Sequence, residues 1–398
     1  MASFLFAWEL GGDYGHLSRL LPVARELEAR GHHCLFVVRD LLGAEAILTP
    51  HQMKAFQAPL WLGQVTKLPD PISYPEMLMR FGFLNARALT GICRAWRNLL
   101  EVLRPDVLIL DHAPTALLAT RALALPKLNF GDGFCIPPRV RPLPHFRWWQ
   151  RENMVRLADS ERHALAVANE VLLTLDAPPM GCLADLLDCA DTLLCTFAEL
   201  DHYPGRGSQD YIGPIFSLGQ GAEVAWPRTD GPKIFAYLKP GYSGLENILA
   251  TLKASSASVL AHVPGAARKT LLQHSSSSMA FSTTPLDMGQ IGASCDLALC
   301  HGGGGTTAAL LLAGKPMMLF PMHMEQTMTA RRLVAMGAAA SVLPDGTGQL
   351  PRLLKKTMAD PALLKAAQGF ASAHAGYDQH ASIRLAADRC EALLKPAA

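Results

Sequence analysis

Two short stretches of the chain carry residues suited to taking up a proton and to holding an anion. The first is Gly11-Gly12-Asp13-Tyr14-Gly15-His16, which follows an apolar run and opens a helical pattern. An imidazole titrates near pH 6.5 when unperturbed, which suits a general base near neutrality. Asp111 ends a second apolar run, 106–111, and strand ends at one edge of a parallel sheet lie close together. Each of these residues also has a plainer reading, His16 as a capping or surface histidine and Asp111 as the solvated end of a strand. Asp13, three residues before His16, is a rival base and otherwise a loop-shaping or substrate-contact residue. The second stretch is His301 followed by Gly302, Gly303, Gly304, Gly305, Thr306 and Thr307, between the apolar run 296–300 and an apolar helix expected at 308–313. Glycines at a strand-to-helix turn let an anion approach the backbone, and the N–H groups and dipole of the helix start favour negative charge. Thr306 and Thr307 can add hydroxyl donors and His301 a ring N–H, so a diphosphate is the natural guest. The alternative is a tight turn with glycines for packing. The P-loop lysine and the dinucleotide spacing are both missing.

The elements that must position these residues alternate between strand and helix. Ser3–Trp8, 34–38, 106–111 and 127–130 read as buried strands. Leu17, Leu20, Leu21, Ala24 and Leu27 recur at helical spacing, with Gly31 where a C-terminal cap belongs. After a Gly- and Pro-rich stretch the alternation restarts, with strands expected at 233–238, 258–263, Met279–Ser282, 296–300 and 316–320, and terminal helices at 361–374 and 382–394. Apolar strands alternating with helices imply parallel sheets covered on both faces. The expected division is an N-terminal domain at 1–215, a linker at 216–232, a C-terminal domain at 233–377 and a terminal helix at 378–398 packing back on the first domain.

From His301 to Gly337 the sequence resembles the donor-site signature of family 1 glycosyltransferases of the bacterial, UDP-glycosyltransferase-like type. His301, Gly303, Gly305 and Thr306 match its phosphate-binding part, Gly314, Pro316 and Pro321 its framework, and Glu325-Gln326 the pair that holds the sugar hydroxyls; Gly304 and Thr307 complete the donor run. Pro285 and Leu286 stand where the family has a Pro-Gln dipeptide near the base, and Gly15-His16 open a segment like the family's first helix. The resemblance implies a GT-B fold, an α/β architecture of two Rossmann-like parallel-sheet domains facing a central cleft. It implies inverting, metal-independent transfer from a nucleotide sugar to a hydroxyl, without a further cofactor. It makes His16 the base, Asp111 the residue that fixes its tautomer, and Gly15, Pro285, Leu286 and the His301 run the donor site. Two departures stand out. Ala309 replaces the glutamate that grips the ribose hydroxyls, and Leu286 replaces the glutamine. Without that carboxylate a dTDP-sugar, which has no 2′-hydroxyl, competes with a UDP-sugar as donor.

The rest of the composition narrows the partners. The chain has 398 residues and a net charge of +2, which does not suggest a nucleic-acid binder. Its nine cysteines include no CxxC pair and read as reduced thiols in a cytoplasmic protein. No signal peptide or membrane-spanning run is apparent. The irregular segments 50–100 and 131–205 are expected to hold an aromatic or lipid-like acceptor, with Phe81, Phe134, Trp148 and, from the first loop, Asp13 as contacts. Arg139, Arg141, Arg147, Arg151 and Arg156 around Trp148-Trp149 form a basic segment, read as a solvated loop or as peripheral contact with the inner face of a membrane. A sugar-nucleotide epimerase and a catalytically silent paralogue that activates another enzyme are the competing functions.

Overall fold

A computed structural model describes residues 1–12, 15–216, 221–228 and 230–394. The chain forms two compact units, Met1–Ile215 with Asp378–Ala398, and Phe216–Tyr377. In the first unit the strands are β1 (Ser3–Trp8), β2 (His33–Val38), β3 (Lys54–Gln57), β4 (Val107–Asp111), β5 (Lys127–Gly131) and β6 (Asp191–Leu194). They form one parallel sheet in the order β3-β2-β1-β4-β5-β6. The helices between them are α1 (Gly15–Ala29), α2 (Leu41–Leu48), α3 (Tyr74–Met79), α4 (Ala86–Leu103), α5 (Pro114–Ala119) and α6 (Met154–Thr174).

The second unit repeats the plan with β7 (Lys233–Tyr237), β8 (Ser258–His262), β9 (Met279–Ser282), β10 (Leu297–Cys300), β11 (Met317–Leu319) and β12 (Ala339–Ser341). Its parallel sheet has the order β12-β11-β10-β7-β8-β9. Its helices are α7 (Leu245–Lys253), α8 (Arg268–His274), α9 (Met288–Ser294), α10 (Gly304–Leu312), α11 (Met324–Ala335), α12 (Leu350–Met358) and α13 (Pro361–Ala373). The last helix, α14 (Gln379–Ala392), belongs to the first unit, where Ile383, Ala386, Ala387 and Cys390 join the core beneath α1. Arg30 at the end of α1 clasps Asp388 and Glu391 of α14 at 2.6 and 2.7 Å.

Numbered within its own unit, each sheet reads 3-2-1-4-5-6, so the strand order reverses once, between β1 and β4 and between β7 and β10. Ligands of open α/β sheets bind outside the carboxyl ends of the strands at such a reversal. His16 follows β1 and Asp111 ends β4. His301 follows β10, beside β7. Both stretches picked out for their chemistry therefore sit at reversal points.

The strands at β3, β6 and β12 were not expected. They are edge or outer strands of 4, 4 and 3 residues with half-exposed positions, so they lack the continuous apolar signature of their neighbours. The helix expected at 308–313 starts earlier, at Gly304, with Gly303 as its extended N-cap. Part of the glycine run is thus the first turn of α10 itself.

Glu9 fastens β1 to the start of α5. Its buried carboxylate accepts from Thr115 N (3.0 Å), Thr115 Oγ1 (2.7 Å) and Ala116 N (2.6 Å), and Trp96 Nε1 donates to the same Thr115 hydroxyl at 3.0 Å. Burial outweighs these hydrogen bonds and pushes the Glu9 carboxyl up to about 7. A carboxyl raised on folding binds more protons in the native state than in the unfolded one. Its contribution is complete below about pH 4.5 and is lost as pH rises through about 7. Calorimetric unfolding free energies of the wild type should therefore fall between pH 5 and 8 relative to those of Glu9→Gln, by an amount on the order of 1–3 kcal/mol. Parallel profiles for the two proteins would contradict this.

Candidate active site

The parallel register of β1 and β4 pairs Trp8 with Asp111, and the chain leaves β1 through Gly11 before re-entering at α1. Gly11 has φ +93°, and a Cβ there would fall 2.3 Å from His16 Nε2, so a side chain at this position would displace the imidazole. The His16 ring stacks on Trp8 with centroids 5.1 Å apart and is buried. Its Nδ1 lies 3.0 Å from Asp111 Oδ2. The separation is that of an ion pair, although the ring N–H is turned off the line to the oxygen and neither atom makes an aligned hydrogen bond among the described residues. No hydrogen bond to His16 Nε2 is formed among the described residues, which leaves that nitrogen for a ligand.

Asp111 is fully buried, and its charge is shared. Arg19, one turn along α1 from His16, brings Nε to 3.3 Å from the same Oδ2 and its Nη2 to 3.2 Å from Asp132 Oδ2. Burial alone would push the Asp111 carboxyl up, but Arg19 and His16 outweigh it and hold the group below the usual carboxylate range. Asp132 is held lower in the same way by Arg19, and its Oδ1 accepts from Phe134 N and Cys135 N at 3.0 and 3.2 Å. Gly131, at the end of β5, gives Asp111 its room, since a Cβ there would meet Oδ1 at 3.3 Å. His16, Asp111 and Cys135 each present an atom able to ligate a metal, all within 4.8 Å of one another. The Arg19 guanidinium beside Asp111 opposes a cation at that place.

In the second unit the strand–turn–helix around His301 is tightly tied. His301 Nδ1 stands 2.6 Å from Phe320 O, and Nε2 accepts from Lys239 N at 2.8 Å. Neutral histidine with its proton on Nδ1 satisfies both contacts. The ring therefore joins the ends of β7, β10 and β11 across the reversal point, and the N–H expected to face a phosphate is given to the Phe320 carbonyl. The buried Thr307 hydroxyl donates to Gly303 O and Gly304 O at 2.9 and 3.0 Å. The exposed part of the run is Gly304-Gly305, flanked by half-buried Gly303 and Thr306. As the first three residues of α10, Gly304, Gly305 and Thr306 have N–H groups with no partner inside the helix, and no side chain caps this end. Gly302, the first glycine of the run, has φ +90° and a missing Cβ that would press to 3.2 Å from Gln326 O.

The remaining expected residues fall in several places. Gly15 is the exposed first residue of α1 in the first unit. Pro285 O accepts from Ala222 N at 2.8 Å, and Leu286 is buried and bridged to Ala222, so its side chain packs inward. Glu325 lies in the first turn of α11, and Gln326 Oε1 accepts from Met322 N at 2.8 Å, ordering the loop before that helix. Phe134 joins the cluster around His16 through His112, with ring centroids 6.1 Å apart in each step. Phe81 is half-buried and Trp148 packs edge-on against Trp149; neither makes a ring contact with that cluster among the described residues. Asp13 lies outside the described residues. In the basic segment Arg156 pairs with Glu76 at 2.7 Å and Arg139 with Asp188, which takes two of the five charges into internal pairs. No helix among the described residues is long and apolar enough to cross a membrane.

Removing one partner of a buried charge network leaves the others uncompensated. Arg19→Met should strand Asp111 and Asp132 and cost about 3–5 kcal/mol of stability, with Arg19→Lys retaining part of it. Denaturant unfolding of the three proteins measures this, and equal midpoints would contradict it.

The known proteins that the chain is similar to are glycosyltransferases. No protein-family model matches the chain. The PGL/p-HBAD biosynthesis glycosyltransferase of Mycobacterium tuberculosis is 24% identical over 354 residues, 79% of this chain and 81% of that protein. Among solved structures, the calicheamicin glycosyltransferase CalG4 superposes with a TM-score of 0.70 at 19% identity, covering 100% of this chain and 99% of that one. The spinosyn rhamnosyltransferase SpnG complexed with thymidine diphosphate has a TM-score of 0.68 at 17% identity, covering 97% and 100%. With its duplicated 3-2-1-4-5-6 sheets, the chain shares with these glycosyltransferases the two-sheet α/β fold of the GT-B type.

Proposed function

We propose that the enzyme transfers a sugar, with inversion, from a nucleoside-diphosphate sugar to a hydroxyl of a small aromatic or lipid-like acceptor. The observation that carries this reading is the contact between buried Asp111 and His16 Nδ1 at 3.0 Å, which leaves Nε2 as the proton acceptor. In the proposed step the acceptor O–H gives its proton to His16 Nε2 as the oxygen attacks the anomeric carbon. The bond from that carbon to the diphosphate oxygen breaks, and the electron pair leaves with the nucleoside diphosphate. Asp111 stabilises the imidazolium that forms, as in other oriented histidine bases. The growing charge on the diphosphate is met by the amides of Gly304, Gly305 and Thr306 and by the positive end of α10. This electrostatic aid does not itself require a metal ion. Glu325 and Gln326 orient the sugar.

The donor nucleotide is proposed to be dTDP rather than UDP. Ala309, one turn further along α10, offers no carboxylate to a ribose 2′-hydroxyl, and SpnG was solved with thymidine diphosphate. The spinosyn and calicheamicin names of the neighbours support an acceptor that is a small molecule.

His16→Ala should lower turnover by about 10²–10⁴-fold while thermal stabilisation by the nucleotide is kept. Unchanged turnover would remove His16 from the mechanism. In competition binding dTDP should displace UDP, and a strong preference for UDP would overturn the assignment of the nucleotide.

A further inference from the structure

His112 follows Asp111 directly and so stands at the same carboxyl edge as His16. Its backbone has φ +50°, a left-handed conformation that costs a non-glycine residue on the order of 1–2 kcal/mol. The turn itself explains the backbone, since His112 O accepts from Leu10 N at 3.0 Å and ties the exits of β4 and β1 together. It does not explain the side chain. Glycine or asparagine would adopt this conformation more easily.

The ring is buried among other rings. Centroids of His16, Phe134 and Tyr74 lie 6.1, 6.1 and 6.2 Å away, and Phe134 continues the wall to Phe146 at 5.2 Å. Within this wall His112 Nε2 is enclosed and has no hydrogen-bond partner among the described residues. An unpaired buried polar atom costs about 1–3 kcal/mol, which phenylalanine at the same place would avoid. Burial, with the nearby His16 charge, pushes the imidazole down to about 3, so the ring is neutral. A neutral imidazole can donate at one nitrogen and accept at the other.

We propose that His112 binds the acceptor by hydrogen-bonding a second oxygen beside the hydroxyl that His16 deprotonates, and that the acceptor is therefore an aromatic alcohol with an oxygen on the neighbouring carbon. This rests on the transferase reading and deepens it. The two adjacent imidazoles take its two adjacent oxygens.

The test is calorimetric titration of the full chain with 2-naphthol and with 2,3-dihydroxynaphthalene. The second compound should bind about tenfold more tightly, a typical worth of one well-placed hydrogen bond. In His112→Phe the preference should vanish while 2-naphthol binds as before. His112→Gly, which relieves the backbone, should also lose the preference, and it decides the matter should the phenylalanine variant not fold. Equal binding of the two compounds to the wild type, binding of neither, or a preference that survives either variant would overturn the proposal. Thermal stabilisation of the wild type by dTDP is measured alongside. Stabilisation without any naphthol preference contradicts the role of His112 alone. A preference without stabilisation supports the His112 site and contradicts the donor reading.

Discussion

One buried negative charge organises the first unit. Asp111 has no solvent contact, so the cost of its desolvation must be met by cations placed against it, and two groups meet it at the same oxygen, Arg19 at 3.3 Å and His16 at 3.0 Å. Because both come from α1, the helix cannot rotate or slide without breaking the pairing. Gly11 and Gly131 are small for the same reason, since larger residues would press on the imidazole and the carboxylate. Asp132 extends the network by holding the far side of Arg19 and the turn that carries Phe134. The protein thus fixes an imidazole by packing and charge, and one of its ring nitrogens makes no hydrogen bond among the described residues.

The second unit applies the same sheet order to a different problem. There the histidine at the reversal point is fully engaged by backbone groups from two other strand ends, and it serves as a strut. What it supports is the bare start of α10, whose amides are the groups able to face an anion. Gly302 has a positive φ and Gly303 the N-cap conformation where that helix begins. One histidine is held with a nitrogen to spare, and the other is spent on holding a loop.

Much of this was legible in the residues. Strands buried on both faces announce themselves as continuous apolar runs, which is why β1, β4, β7 and β10, the strands flanking each reversal, could be placed and the edge strands β3, β6 and β12 could not. His16 and Asp111 could be paired because parallel strands deliver their ends to one edge. Arg19 and Asp132 could not, since a charged residue on an amphipathic helix reads as solvated until a buried partner is known. Glu9 caps α5 from inside the core, a role that its place after an apolar run does not show. The contacts of His301 and Thr307 with the carbonyls of residues 303, 304 and 320 depend on backbone geometry that composition does not encode. His112 carried no signal at all, because neither its left-handed backbone nor its enclosed nitrogen shows in a sequence.

The central claim is that Asp111 keeps the resting proton of His16 on Nδ1 so that Nε2 can accept one. Nitrogen-15 chemical shifts of the His16 ring in labelled protein near neutral pH report this directly. The account predicts a protonated Nδ1 and a bare Nε2. A neutral ring carrying its proton on Nε2 would contradict it.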